Sequence, residues 1–152
     1  MNKILSATLL SGMLLAIPVG HALAKNDVST KPPANFKKVS QLVELPDFLP
    51  GLGTLYVDPK SLPLGPYLGY DRQGKLTNVT YMIPMKQLNE RKNWTDVGGV
   101  AAGQKIDHTD IAYNAGHPGL AEPHYHVINW LIPHSQEAAR VGNAGHSGHS
   151  GH

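Results

Sequence analysis

The sequence contains no cysteine. This absence excludes disulfides, thiolate nucleophiles, iron–sulfur clusters and thiolate metal ligands together. An excess of either charge is also missing, because 13 lysines and arginines stand against 11 aspartates and glutamates. Such a balance provides neither the basic surface that binds nucleic acid nor a polybasic segment for membranes. Any metal site must therefore rely mainly on histidine and carboxylate ligands.

Only one long hydrophobic run occurs, at residues 4–19, and it follows a short basic start. The run is short for a membrane span, contains Pro18, and is followed by the small residues Ala22 and Ala24. These features are typical of a secretory signal peptide at residues 1–24. We therefore predict a periplasmic or secreted protein with no stable membrane insertion after cleavage.

The rest of the chain divides by composition into three parts. Residues 25–38 are polar, contain two adjacent prolines and predict a flexible linker. Residues 39–141 contain the periodic apolar segments of one globular domain. Residues 142–152, with the sequence GNAGHSGHSGH, form a low-complexity tail that we expect to be disordered without a ligand.

Short apolar segments separated by Gly/Pro-rich turns predict a β-rich α+β fold with a single compact domain. The expected architecture is an antiparallel sheet or a small barrel with one or two short helices. Helical segments are expected before Pro46, at residues 85–94 and at residues 136–141. A hairpin turn is expected at residues 71–74. The predicted strands are residues 54–59, 66–70, 75–83, 106–114 and 124–132.

Histidine is concentrated late in the chain, where eight of the nine histidines follow position 107. Side chains alternate between the two faces of a strand, so His124 and His126 share one face of the last strand. His108 and Asp110 likewise share one face of the preceding strand. If the two strands form a hairpin with Asn114 opposite His124, all four side chains lie on the same face.

The loop between these strands adds His117 and Glu122, which could fold over that polar face. Three or four imidazoles with one or two carboxylates suit zinc or copper(II), and also nickel, manganese or non-haem iron. Alternatively, the histidines are bonded to backbone carbonyls and stacked on Tyr113, Tyr125 and Trp130. Taken jointly, the clustering favours a metal-type site. The candidate ligands are His108, Asp110, His117, His124 and His126.

The tail carries three further histidines, His146, His149 and His152, at intervals of three residues. A flexible Gly/Ser chain can wrap these imidazoles around one divalent ion. Free imidazole is neutral near pH 7, so such a tail should bind metal there and release it in acid. The alternative is a low-complexity extension with no ligand.

Three segments together resemble a small family of exported bacterial proteins of unknown function. They are GTLYVDP, LPLGPYLGYDRQGKLTNVTYMIPM and IDHTDIAYNAGHPGLAEPHYHVINW, within residues 53–130. The family is typified by a Thermus protein under the control of an extracytoplasmic sigma factor. The resemblance implies a compact β-rich domain that self-associates, in an envelope-stress setting, and it implies no reaction. The positions that match the polar core of the motif are His108, Asp110, His117, His124 and His126.

The His-x-His pair also resembles the first motif of the cupins, which bind metal on a strand. A cupin places a glutamate a few residues later, where this chain has Asn129 and Trp130. A second cupin motif with a later histidine would have to use His134. Cupin-like chemistry is therefore a minor alternative.

We therefore predict an exported protein that binds a divalent transition metal, of the zinc, copper or nickel class, in metal homeostasis or envelope stress. The expected partners are the metal ion and further copies of the chain. A metal-dependent enzyme with Asp110 or Glu122 as base is the second hypothesis. A non-catalytic structural oligomer, whose histidines order the loop at residues 115–123, is the third.

Overall fold

Six strands form one antiparallel sheet in the computed structural model, which describes residues 31–98 and 104–143. Their order across the sheet is β1-β2-β3-β4-β6-β5, so β1 and β5 are its edges. This confirms the predicted β-rich α+β fold with an antiparallel sheet, and the sheet is not closed into a barrel. The strands are β1 (Lys37–Lys38), β2 (Thr54–Val57), β3 (Tyr67–Tyr70), β4 (Leu76–Pro84), β5 (His108–Asn114) and β6 (His124–Trp130).

The predicted hairpin forms between β3 and β4, and Asp71 organises its turn. Its Oδ1 accepts backbone N–H bonds from Gln73, at 3.0 Å, and from Lys75, at 2.9 Å. Gly74 has a φ of 73°, a conformation that costs glycine little. The other carboxylate oxygen of Asp71 accepts a bond from Arg140, so this turn is tied to the C-terminal helix.

Two short α-helices lie in the described residues, α1 (Met85–Asn89) and α2 (His134–Val141). Helix α1 stops earlier than the predicted residue 94, because Arg91 has a left-handed φ of 55°. Helix α2 begins two residues earlier than predicted, directly after Pro133. Neither these helices nor any other helix in residues 31–98 and 104–143 is long and apolar enough to cross a membrane.

The segment before Pro46 differs most from the prediction. A 3-10 turn at Val39–Gln41 replaces the expected helix. Lys37 and Lys38, which composition assigned to the linker, pair instead with Val57 and Tyr56 as an edge strand. Val39 and Val43 of this segment pack against the core of the sheet, whereas Leu42 is 39% exposed. The predicted signal peptide at residues 1–24 lies outside the described residues.

One face of the sheet carries two apolar clusters. The first joins β2, β3 and β4 through buried side chains that include Val57, Tyr67 and Met82. The second lies at the other end of β6, where Trp130 and Ile132 pack with Val141 of α2. The two buried histidines of β6 lie near the first cluster.

Candidate metal centre

Strand β6 carries His124 and His126 into the protein interior. Burial alternates along this strand, as expected for one covered face. His124 is 0% exposed and His126 is 9% exposed. On the neighbouring strands, Asn114 of β5 lies opposite His124, and Met82 of β4 lies opposite His126. The register assumed in the sequence analysis, with Asn114 opposite His124, is the one observed.

A tight turn brings His117 back over the same face. His117 and Leu120 exchange two backbone hydrogen bonds of 3.0 Å around Pro118 and Gly119. Proline followed by a glycine of positive φ, here 92°, suits a type II turn. A Cβ on Gly119 would lie 2.8 Å from Cγ1 of Val43, so the turn packs closely on the core.

These elements bring together three imidazoles, His117, His124 and His126, which we call the three-histidine cluster. One ring nitrogen from each lies within 4.8 Å of the other two. The Nε2 atoms of His124 and His126 are 2.9 Å apart. Two nitrogens on a tetrahedral zinc ion, each about 2.0–2.1 Å from it, are separated by roughly 3.3 Å. The spacing of this pair therefore needs only a small opening for both nitrogens to bind one ion.

Backbone carbonyls orient two of the three rings. Nδ1 of His124 lies 2.8 Å from the Glu122 carbonyl, and Nδ1 of His117 lies 2.9 Å from the Pro118 carbonyl. A carbonyl can only accept, so each Nδ1 carries the proton and each Nε2 keeps its lone pair. Such bonds from the far side of the ring are the usual way in which metal-binding histidines are fixed.

Burial favours the neutral form of two rings of the cluster, His124 and His126. Desolvation, helped by the neighbouring His124 and His117, lowers the pKa of His126 to about 4. Desolvation also lowers the pKa of His124, against a raising effect of its bond to the Glu122 carbonyl. Neutral imidazole is the form that binds metal, so protons compete weakly for these nitrogens at pH 7.

The expectation that His108 and Asp110 join this cluster is wrong for the described structure. Residue parity does put them on the same face, but His108 lies opposite Trp130. Asn114 is the residue of β5 opposite His124, and His108 lies six residues, or about 20 Å, from Asn114 along this strand. Asp110 lies between the two ends, and its Oδ2 accepts a 2.9 Å bond from the indole nitrogen of Trp130.

His108 instead meets two residues of helix α2, and we call His108, His134 and Glu137 the helix-side cluster. Oε1 of Glu137 is 2.8 Å from Nε2 of His108 and 2.9 Å from Nδ1 of His134. The contact to His108 lacks the alignment of a hydrogen bond, whereas the contact to His134 has it. In the sequence, this cluster could have been found from the i, i+3 spacing of His134 and Glu137, which places both on one side of a helix. The predicted helix began only at residue 136, so His134 was not included in it.

The helix-side cluster has a different electrostatic character. Burial lowers the pKa of His108, but the Asp107 bond and the charges of Glu137 and Asp110 outweigh it and raise that pKa overall. The ring also stacks on Trp130, with centroids 6.0 Å apart. The hydrogen bond to Asp107, the charge of Glu137 and the stacked ring are typical of a charge-assisted pair. His108, His134 and Glu137 could also hold a metal ion.

A cavity of about 280 Å³ adjoins the three-histidine cluster. His117, His126 and Asn114 supply its polar side, and most of the remaining lining is aliphatic. The sequence did not reveal this cavity, because it forms between the sheet and the irregular segment that had been expected to be a helix. The tail histidines His146, His149 and His152 lie outside the described residues.

Similarity to a solved structure relates the chain to a known protein. No protein-family model and no curated protein matches the chain. Among solved structures, the chain is similar to the crystal structure of the hypothetical protein TTHB210 from Thermus thermophilus. The two are 45% identical, with a TM-score of 0.56, over 64% of this chain and 93% of the Thermus chain. The chain therefore belongs to the family of this Thermus protein.

Proposed function

We propose that this protein is an exported metal-binding protein whose three-histidine cluster binds one divalent transition ion. The main support for this proposal is that three ring nitrogens lie within 4.8 Å of one another in a largely buried site. Zinc, copper(II) and nickel are the expected class, because imidazole suits all three. Metal homeostasis or envelope stress is the corresponding role.

The hydrogen bonds of the cluster support a ligand site. Nδ1 of His117 and Nδ1 of His124 face backbone carbonyls, which leaves the Nε2 atom of each ring with its lone pair. Here the Nε2 atoms of His124 and His126 are partners for each other at 2.9 Å. One of the two nitrogens must then carry a proton, and a metal ion would satisfy both lone pairs after that proton moves away.

Binding is a better explanation than catalysis for the described residues. A three-ligand ion keeps an open coordination position, which a catalytic ion also needs. However, Asp110, one of the two predicted bases, is bonded to Trp130 away from the cluster. Glu122, the other predicted base, contributes its backbone carbonyl to His124, and the charge of its carboxylate also acts on that ring. We therefore keep the metal-dependent enzyme as the alternative.

The tail and the leader complete the proposal. His146, His149 and His152 would capture or deliver ions, and the signal peptide at residues 1–24 would direct the protein to the periplasm or outside the cell. Tail imidazoles with an ordinary pKa should release metal near pH 6.5. The buried cluster, whose His126 has a pKa of about 4, should keep its ion to lower pH.

The test is calorimetric titration of purified mature protein with Zn²⁺, Cu²⁺ and Ni²⁺. The variants are a deletion of residues 144–152, the double substitution His124→Ala/His126→Ala, and the matched control His134→Ala. We expect the tail deletion to remove weak sites and the double substitution to remove the tight site. Equal stoichiometry and affinity in all proteins would contradict the proposal. If only His134→Ala loses the tight site, the metal binds to the helix-side cluster instead of the three-histidine cluster.

A structural oligomer is the second candidate, and edge strand β5 favours it. Ile111 is 70% exposed and Tyr113 is 59% exposed on this strand. Unpaired edge strands with exposed apolar side chains tend to pair with further chains. Sedimentation of wild type and Ile111→Lys tests this, and we expect the variant to have the smaller mass. A monomeric wild type would contradict self-association.

A further inference from the structure

The cavity beside the three-histidine cluster has two chemically different sides. His126 of β6 and the neighbouring His117 line one side, and Leu55 and Val57 line the side at β2, which is separated from β6 by β3 and β4. Cavities with apolar walls and a few convergent polar groups are the usual form of small-molecule sites. The arrangement would therefore suit a molecule with one polar head and one apolar body.

The charge of the occupied cluster indicates the sign of that head. The observed partners of His117 and His124 on the Nδ1 side are neutral carbonyls rather than carboxylates. Three neutral imidazoles supply no negative charge to a divalent ion, and the Glu122 carboxylate acts on His124 only through space. Three protein ligands also leave a coordination position open. An anionic oxygen from outside the protein would fill that position and reduce the charge in a largely apolar surrounding.

We propose that the cavity binds a small carboxylate-headed molecule whose head coordinates the cluster-bound ion and whose apolar body lies against the aliphatic wall. This inference rests on the proposed metal site. A volume of about 280 Å³ limits the size of the body. At about 30 Å³ per water-sized unit, the cavity holds roughly nine non-hydrogen atoms, which corresponds to a medium-chain carboxylate.

Straight-chain carboxylates from acetate to dodecanoate test the proposal with zinc-loaded protein and with chelator-treated protein. Burying each added methylene contributes about 0.8 kcal/mol, so affinity should rise about fourfold per carbon. The rise should stop near octanoate, where the cavity is full. Affinity that does not depend on chain length would overturn the apolar-body assignment. Equal binding of octanoate with and without zinc would overturn coordination by the head.

A cavity-filling variant provides an independent check. Leu42 lines the cavity and is 39% exposed, so Leu42→Trp can enter the space from its rim. Leu88 of α1 is similarly exposed, at 41%, and does not line the cavity, so Leu88→Trp is the matched control. We expect Leu42→Trp to weaken octanoate binding at least tenfold while its zinc affinity stays unchanged. Unchanged octanoate affinity would contradict the inference.

The two proposals fail in different ways. If zinc does not bind to the three-histidine cluster, the proposed function fails at the metal titration, before any carboxylate is added. If zinc binds but carboxylates show neither dependence on zinc nor dependence on chain length, only the present inference fails.

Discussion

Replacing His126 by glutamine should remove a large part of the acid sensitivity of the metal-free protein. The pKa of His126 is lowered from 6.5 to about 4, because the ring is buried beside two other imidazoles. The unfolded chain therefore binds this proton more readily than the folded chain. The resulting stability is complete above pH 6.5 and is lost as the pH falls towards 4.

The difference between the pKa of His126 in the unfolded chain, 6.5, and in the folded chain, about 4, corresponds to about 3 kcal/mol of unfolding free energy. The slope should reach about 1.4 kcal/mol per pH unit within that window. His126 is only 9% exposed, so solvent screening should not reduce this contribution strongly. Glutamine does not titrate. His126→Gln should therefore lose less unfolding free energy than the wild type between pH 6.5 and 4, whatever its stability at pH 7.

Urea unfolding of chelator-treated protein at intervals between pH 7.5 and 3.5 measures these slopes. His134→Gln is the matched control, because its side chain is 85% exposed and lies outside the three-histidine cluster. We expect the control to follow the wild type. Parallel curves for wild type and His126→Gln between pH 6.5 and 4 would refute the assignment of this sensitivity to His126.

Three further predictions concern the turns and the ion. Asp71→Ala should destabilise the protein by about 3 kcal/mol in urea unfolding, since it leaves Arg140 and two backbone donors of the hairpin without their buried acceptor. Gly119→Ala should lower zinc affinity measurably in calorimetry, because its φ of 92° and its contact with Val43 oppose a Cβ and displace the neighbouring His117. Zinc at 100 times its Kd should stabilise the wild type by about 2.7 kcal/mol in thermal unfolding, and chelation should reverse this. Unchanged stability in the first variant, unchanged affinity in the second, or melting indifferent to zinc would contradict the respective prediction.

The sequence predicted one hairpin of the sheet, because turn chemistry and alternation of apolar residues are short-range signals. The turn at Asp71 and the alternating segments around it indicated the β3–β4 hairpin, which forms. The sequence did not determine the register of β5 and β6, but the register assumed for them, with Asn114 opposite His124, is the one observed. Parity then correctly placed His124 and His126 on the buried face of β6.

Parity could not determine which of these side chains touch. It assigns a face, whereas contact also requires nearness along the strand, and His108 is opposite Trp130 rather than His126. The partners of His108 come from helix α2, which follows β6 in the chain and packs back on the sheet through Val141. Tertiary packing of this kind has no short-range sequence signal. The same reason explains the missed cavity.

X-ray absorption of zinc-loaded protein lacking residues 144–152 tests the metal centre most directly. The three-histidine cluster predicts three imidazole nitrogens at about 2.0–2.1 Å, with the outer-ring scattering of histidine. This signature should disappear in His124→Ala/His126→Ala and persist in His134→Ala. A zinc ion surrounded only by oxygen, or the same spectrum in the double variant, would contradict the assignment of the metal to His117, His124 and His126.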